Sequence, residues 1–473
     1  MRQRGSVCLV IAAGLVVWCQ ITALRAQPAS TQIASHPSPA PASDSLAGTR
    51  SCTTAGCHGR VSPLLNERVQ RDEYTIWISE DLHAQAYDKL FGDRPEKIIK
   101  NLGGNLAAYD DARCVACHAN PLTAGDTATP FLREERLSGV GCEACHGEAV
   151  RWLEPHSKQK WRDESAAAKR DAGMMPPGDI AAFGRRCAGC HVGAPAQGGL
   201  PLRDINHDLI AAGHPRLNFE LSVYLANMPR HWSKKIEEQR PADFDLQIWG
   251  KGQILSALAA FDLLADRAES STIAPQTRPW AEFAEYDCFA CHHKLSSPGW
   301  RQAHDHYGSR KPGSLPWGSW YFTIPRLLAE NGLHADPITS ANLGAVMNEM
   351  QRPLPDRQKV RAAAAEAAGR LQDLLKSSEG KSLVFREVLL SNLKNASMAT
   401  GSWDSAEQLY LGLATLPEFQ RDLAAQNILK ALSQELVLSF STDPAEYGSS
   451  KNFETDRGKL LQLLKDVRNK LGK

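Results

Sequence analysis

The sequence lacks a strong excess of charge of either sign. Its 473 residues include 54 Lys or Arg and 53 Asp or Glu, which gives a formal net charge of +1 at pH 7. Proteins that bind nucleic acids concentrate Lys and Arg to neutralise phosphates. The near-neutral balance shows no such excess, and we expect no nucleic-acid partner.

The sequence also has no apolar run long enough to cross a bilayer as a helix. Its main apolar stretch, Val7 to Trp18, is shorter than the roughly 20 residues that a membrane span needs. Because this stretch follows two arginines and precedes a small residue, Ala26, residues 1–26 are predicted to be a secretory signal peptide. Export to the periplasm follows, with no transmembrane span after cleavage. A membrane anchor, or lipoprotein processing at Cys19, is the alternative.

Two further regions lack the cysteines of a haem site, and the first of them also lacks the residues of a hydrophobic core. Residues 27–49 read QPASTQIASHPSPAPASDSLAGT, a Pro, Ala and Ser-rich tract that predicts a flexible linker. Beyond about Asp336 there is no cysteine, and apolar residues recur at helical spacing. This pattern predicts a helical domain over residues 326–473, which either packs on the rest of the chain or offers a docking surface to a partner.

Cysteine is present in an unusual arrangement. Apart from two cysteines in the leader, all ten form five pairs, and each pair is followed directly by histidine. The five motifs are CTTAGCH (Cys52, Cys57, His58), CVACH (Cys114, Cys117, His118), CEACH (Cys142, Cys145, His146), CAGCH (Cys187, Cys190, His191) and CFACH (Cys288, Cys291, His292).

Cys-x-x-Cys-His is the attachment signature of c-type haem, in which two thiols bond to the porphyrin and the adjacent imidazole reaches the iron. The first motif has four residues between its cysteines, but it ends in the same CHG as the third. We therefore predict five covalent haems c, the first with a longer arch. A disulfide between Cys52 and Cys57 is the alternative for the first motif, and zinc binding is the alternative for the whole set.

A haem iron has two axial positions, and the second ligand decides whether the site only carries electrons or also binds a substrate. The candidate second ligands are histidines outside the motifs. They are His83, His156, His207, His214 and His231, with His293, His304 and His306 as further candidates. We expect His36 and His334 to be exposed to solvent.

Local patterns support some of these candidates. His83 lies in TIWISEDLHAQAYDKL, whose apolar spacing predicts a helix that packs one face on a porphyrin. His207 and His214 are seven residues apart, so one helix would place both on the same face, two turns apart, each facing a different haem. A capping role near Gly213 is the alternative for either.

The order of the motifs resembles the cytochrome c-554 family of multihaem cytochromes. The resemblance covers roughly residues 50–215 and rests on the first motif, the Trp and His-Ala of TIWISEDLHA, the second motif, LSGVGCEACHGEA and the fourth motif. It implies that His83 and His156 are distal ligands, and that His207 or His214 is a third. It also implies that the CVACH haem is five-coordinate.

The sequence departs from that family in its longer first motif, in a fifth motif at Cys288 and in its C-terminal region. We expect a mainly α protein, with a multihaem cytochrome c fold of long loops and little sheet over residues 50–325 and a C-terminal helical bundle. The expected function is electron transport between unidentified donor and acceptor proteins, mostly through bis-His haems. The alternative is a haem enzyme that acts on a small nitrogen oxide or similar substrate at one five-coordinate haem.

Overall fold

The computed structural model describes residues 45–65, 67, 69–125, 129–176, 178–269, 280–288, 291–292, 311, 313–331, 337–378, 382–394, 402–436 and 457–471. The predicted signal peptide and most of the predicted linker lie outside these ranges. Five histidines discussed above also lie outside them, namely His36, His293, His304, His306 and His334.

Helices dominate the described residues, and the prediction of a mainly α fold with little sheet is confirmed. The only β-pairing in these ranges consists of three isolated antiparallel bridges. None of the helices described combines the length and apolar character needed to cross a membrane. The α-helices are α1 (Glu73–Glu80), α2 (Asp93–Asn101), α3 (Ala112–His118), α4 (Pro130–Glu135), α5 (Cys142–His146), α6 (Gln159–Asp163), α7 (Ala166–Asp171), α8 (Ile180–His191), α9 (His207–Ala212), α10 (Leu221–Asn227), α11 (Lys234–Glu238), α12 (Phe244–Glu269), α13 (Thr323–Asn331), α14 (Pro337–Met350), α15 (Arg357–Ser377), α16 (Ser382–Lys394), α17 (Trp403–Ala414), α18 (Pro417–Arg421), α19 (Leu423–Leu436) and α20 (Arg457–Lys470).

The helix predicted around His83 is broken. α1 ends at Glu80, and the chain continues through two 3-10 turns, Leu82–Gln85 and Tyr87–Leu90. Asp81 explains the break, because its carboxylate accepts the backbone N–H of His83 at 2.9 Å and so caps a new turn. The prediction of one continuous helix was therefore wrong, although His83 keeps a defined position.

The long helix α12 lies at the centre of the larger hydrophobic core. It packs along α15 and also contacts α8, α10 and α16. The sequence predicted one apolar face, but residues on most sides of α12 are buried, including Trp249 and Ile254 at 0% exposure. The core around it extends from Ala188 to Val467, so residues on both sides of the predicted boundary at 325/326 share one core.

The C-terminal helices pack on α12 at close range. A Cβ atom at Gly250 would lie 2.3 Å from the ring of Phe385, and one at Gly412 would lie 2.6 Å from the ring of Trp249. Glycine is required at both positions because a helix backbone lies directly against an aromatic ring. These contacts favour the packing interpretation of residues 326–473 over a detached docking domain.

A smaller core surrounds the second cysteine motif. Val115 and Ala116 on α3 are fully buried, and they share this core with Tyr87 and Ile99. The cluster holds α3 against α2 and against the 3-10 turn Tyr87–Leu90. The position of the second motif is thereby fixed by apolar packing on both sides.

Candidate haem sites

The cysteine motifs lie at helix ends or in tight turns. The second, third and fourth motifs form the last turns of α3, α5 and α8. In a helix, two residues three positions apart lie on the same face, so each of these motifs presents both thiols on one side. None of the ten motif cysteines forms a disulfide, Cys52 and Cys57 included.

The first motif closes on itself despite its longer spacing. In the fifth motif, the N–H of His292 donates to the carbonyl of Cys288 at 2.8 Å. In the first motif, the N–H of His58 donates to the carbonyl of Cys52 at 3.1 Å, across two additional residues. The histidine thus returns to the same position relative to the first cysteine, and the two extra residues bulge outward.

The ten described histidines form five pairs. Each pair contains one motif histidine and one of the candidate distal ligands, and no histidine is shared between pairs. The pairs, with their ring-centroid distances and interplanar angles, are His58 with His156 (6.2 Å, 15°), His118 with His214 (6.4 Å, 88°), His146 with His231 (6.3 Å, 87°), His191 with His83 (6.0 Å, 79°) and His292 with His207 (6.4 Å, 28°).

These distances fit two imidazoles on one haem iron. An imidazole nitrogen binds a metal at about 2.0–2.1 Å and lies about 1.1 Å from its ring centroid, so two axial rings should have centroids about 6.3 Å apart. The observed range of 6.0–6.4 Å brackets this value. A direct contact between stacked rings would be much shorter, so the space between each pair accommodates an iron.

Four of the five candidate distal histidines are oriented by hydrogen bonds from their Nδ1–H groups. His214 donates to the carbonyl of Pro215 at 2.8 Å, and His231 donates to the carbonyl of Pro229 at 3.1 Å. His156 donates to the carbonyl of Leu153, and His83 donates to Asp81. A protonated, bonded Nδ1 leaves Nε2 as the free ligand atom, and this is the usual support for a metal-binding histidine.

Burial keeps several of these imidazoles neutral, which is the form that binds a metal. It lowers the pKa of His146 to about 4 and that of His191 to about 4. It also lowers the pKa of His118 and that of His214. These groups therefore need no deprotonation near neutral pH before they bind iron.

Two imidazoles are bonded to carboxylates. His58 Nδ1 donates to Glu73 Oε2 at 2.9 Å, and His83 Nδ1 donates to Asp81 Oδ1 at 2.9 Å. These hydrogen bonds raise the pKa of His58 and the pKa of His83. Neither acid belongs to a haem motif, although both lie within ten residues of His83 in the sequence.

Cysteines of different motifs lie close to one another. The Cys52 thiol lies beside the Cys142 thiol, which brings the first and third motifs together. The Cys117 thiol is in the same relation to Cys190, which links the second and fourth motifs. The four motifs therefore form two close pairs.

Glu143, the second residue of CEACH, fastens the third motif to the segment that leads into the first. Its carboxylate accepts the backbone N–H groups of Ala47 at 3.0 Å, Gly48 at 2.7 Å and Ala149 at 2.6 Å. The side chain is buried, and burial raises the pKa of Glu143 in spite of these bonds. The Cys-x-x-Cys-His signature leaves this position unspecified, so the sequence gives no sign of its role.

Gly139, three residues before Cys142 in LSGVGCEACHG, lies too close to the backbone of His83 to carry a side chain. Gly139 has φ of +61°, and a Cβ atom there would lie 2.4 Å from the carbonyl oxygen of His83. The N–H of Val140 donates to that oxygen at 3.0 Å. A residue with a side chain would push the third motif away from the backbone of His83.

His207 and His214 face different motif histidines, but not from one helix. α9 begins at His207 and ends at Ala212, because Gly213 adopts φ of +121°. His214 lies beyond the helix, where Arg94 donates to the carbonyl of Gly213 at 3.0 Å. The prediction that both occupy one helical face was wrong. The prediction that they serve two haems stays a prediction, supported by their separate partners.

Residues 52–147 match the family described as cytochrome c554 and c-prime. The chain is 30% identical over 125 residues to the C-type polyheme cytochrome OmcC of Geobacter sulfurreducens, which covers 26% of this chain and 15% of that protein. It is 30% identical over 127 residues to cytochrome c-554 of Nitrosomonas europaea, covering 24% of this chain and 52% of that protein. No solved structure matches the chain significantly.

These matches are partial. The chain spans about half the length of one curated relative and about one seventh of the other. The matched family segment ends at residue 147 and so includes the first three motifs but not the fourth or fifth. The partners of the first three motif histidines, His156, His214 and His231, also lie beyond residue 147, so the matched segment contains no complete histidine pair.

Proposed function

We propose that this protein carries electrons through five covalently attached haems, each held between two histidines. The proposal builds on its resemblance to cytochrome c-554, a multihaem c-type cytochrome. Haem c supplies an iron that accepts and releases one electron at a time. The observation that carries the proposal is the set of five histidine pairs at 6.0–6.4 Å.

The distal histidines decide between carrier and enzyme. A distal imidazole fills the position that a substrate would need and keeps water out of it. The resemblance implied an open haem at CVACH, but His214 lies opposite His118 at 6.4 Å. This arrangement supports electron transport and disfavours the alternative of nitrogen-oxide chemistry at that haem.

The first motif is included as a fifth haem site. Its histidine, His58, has a partner in His156 at 6.2 Å, like the other motif histidines. The hydrogen bond from His58 to the carbonyl of Cys52 gives the turn the same closure as the fifth motif. Both features support haem attachment to Cys52 and Cys57.

The contacts between motifs support rapid exchange of electrons inside the protein. Thiols of the first and third motifs lie beside each other, as do thiols of the second and fourth, so groups attached to them would lie side by side. Cys57 and Cys291, at the two ends of the series, are exposed. We infer that redox partner proteins, a donor and an acceptor, approach near the first and fifth motifs, in the periplasm after removal of residues 1–26.

Two measurements on the mature protein test the proposal. Its mass should include five haem increments, whereas four would remove the first motif from the set. Its electron paramagnetic resonance spectrum in the oxidised state should contain only low-spin signals. A high-spin signal of about one haem per chain would instead favour the enzyme alternative, because only an iron without a strong sixth ligand gives that signal.

A further inference from the structure

We propose that Glu73 and Asp81 are positioning residues that make the first and fourth haems the low-potential members of two unequal haem pairs. This inference rests on the proposed function, since it assumes that His58 and His83 are axial ligands. Each acid acts through the imidazole that it accepts a hydrogen bond from, and neither contacts iron itself.

Glu73 is built to hold His58. Its Oε2 accepts the Nδ1–H of His58 at 2.9 Å, while its Oε1 accepts the backbone N–H groups of Gln70 at 2.9 Å and Arg71 at 3.2 Å. The Glu73 side chain is 18% exposed, so solvent screens its charge only in part. A carboxylate that accepts from Nδ1 makes the other ring nitrogen a stronger donor to a metal.

Asp81 makes the same contact with His83 from a more buried position. Its Oδ1 accepts both the backbone N–H and the Nδ1–H of His83, each at 2.9 Å, and its side chain is 5% exposed. The backbone bond fixes the distance between the acid and the ring. His83 is the partner of His191, so Asp81 acts on the fourth motif.

The neighbouring site in each close pair has neutral acceptors. In the pair formed by the first and third motifs, His231 donates to the carbonyl of Pro229 at 3.1 Å. In the pair formed by the second and fourth, His118 donates to the carbonyl of Ala86 at 2.8 Å, and His214 donates to a carbonyl at the same distance.

In each pair, one haem therefore has a more electron-rich axial ligand than the other. Negative charge on a supporting acid favours ferric over ferrous iron, because the ferric site carries one more positive charge. Each pair should therefore contain one haem that is reduced later than its neighbour.

The test is a spectroelectrochemical titration of the haem-loaded protein and of the variants Glu73→Gln and Asp81→Asn. Asp81→Asn keeps one amide oxygen that can accept both bonds from His83, so it loses only the charge. Glu73→Gln loses the charge and also one of its two acceptors, because the oxygen can face either His58 or the backbone N–H groups but not both. We expect each variant to shift the reduction equilibrium of one haem about tenfold toward the ferrous form, which raises its midpoint potential by about 59 mV for one electron. The third haem should shift by less, because Glu73 also acts through space on His146 and Asp81 on His231. The remaining haems should be unchanged.

Glu134→Gln is the matched control, because it removes one carboxylate from an exposed ion pair with Arg50 near the first motif. An unshifted titration in Glu73→Gln and Asp81→Asn, in protein that holds five low-spin haems, would overturn this inference and leave the proposed function intact. A high-spin or missing haem in the wild-type protein would instead overturn the proposed function. If Glu73→Gln or Asp81→Asn shifts the potentials of all haems equally, and by the same amount as Glu134→Gln does, the effect is one of general charge. That result would also contradict the inference.

Discussion

Replacement of His214 by Ala should open the haem of the second motif. His214 and His118 have ring centroids 6.4 Å apart, and no other histidine is paired with His118 among the described residues. Loss of the imidazole leaves that iron without its second strong ligand. The expected change is conversion of one iron in five, about one fifth of the total, from low spin to high spin.

The fold around residue 214 should survive the change. The backbone there is held by side chains of α2, since Arg94 donates to the carbonyl of Gly213 and Asn101 donates to the carbonyl of Ala212, both at 3.0 Å. The truncated side chain contributes only a hydrogen bond to the adjacent Pro215. The variant is therefore a clean removal of a ligand.

Electron paramagnetic resonance with spin quantitation measures the effect, and added imidazole should restore the low-spin signal by filling the vacated space. The open variant should also bind nitrite, hydroxylamine or nitric oxide, which the wild-type protein should not bind at this haem. His334→Ala serves as the control, because the sequence gives this histidine no ligand role. A fully low-spin spectrum in a folded His214→Ala protein with five haems would refute the assignment of His214, and the enzyme alternative would regain support.

Three further predictions follow from other features of the structure. Two histidine pairs have nearly parallel rings, with interplanar angles of 15° and 28°, and three have nearly perpendicular rings, at 79° to 88°. The low-spin signals in electron paramagnetic resonance should therefore fall into a rhombic class and a highly anisotropic class in a 2:3 ratio. Equal signals from all irons would contradict the ring geometry. Asp404 is 1% exposed and pairs with Arg216, whose charge Asp404→Asn would leave uncompensated. This variant should destabilise the protein by about 3–5 kcal/mol in denaturant titrations. A loss below about 1 kcal/mol would show that this pair is not a link between α17 and the rest of the chain. Burial raises the pKa of Glu407 from 4.5 to about 7, so between these pH values the folded protein keeps a proton on Glu407 that the unfolded chain loses. The free energy of unfolding should therefore fall by about 3 kcal/mol as the pH rises from about 4.5 to above 7. Thermal melts of Glu407→Gln should lack this part of the fall, and a pH profile identical to that of the wild-type protein would refute the prediction.

The chemistry of the sites was readable from the sequence because it depends on covalent spacing. Five cysteine pairs, each followed by histidine, predict haem attachment whatever the surrounding fold, since the porphyrin edge sets the spacing. The C-terminal helices were readable for a similar reason. Apolar residues at helical spacing predicted helices that the structure contains as α15 (Arg357–Ser377), α16 (Ser382–Lys394) and α17 (Trp403–Ala414).

Two of the helix predictions were wrong because of local capping. The apolar spacing around His83 predicted a continuous helix, but the carboxylate of Asp81 caps a new turn there. The spacing of His207 and His214 predicted one helix, but Gly213 has a left-handed backbone that ends α9 between them. In both cases a single residue with a local backbone preference outweighed the periodicity of its neighbours.

The sequence by itself determined which residues can hold haem and supplied a set of histidines from which the second ligands had to come. It did not determine which histidine faces which motif, because partners such as His58 and His156, or His118 and His214, are about one hundred residues apart and meet only through tertiary packing. The carboxylates of Glu73 and Asp81 acquire their meaning in the same way. Their effect depends on a 2.9 Å contact with an imidazole, and only the folded chain sets that distance.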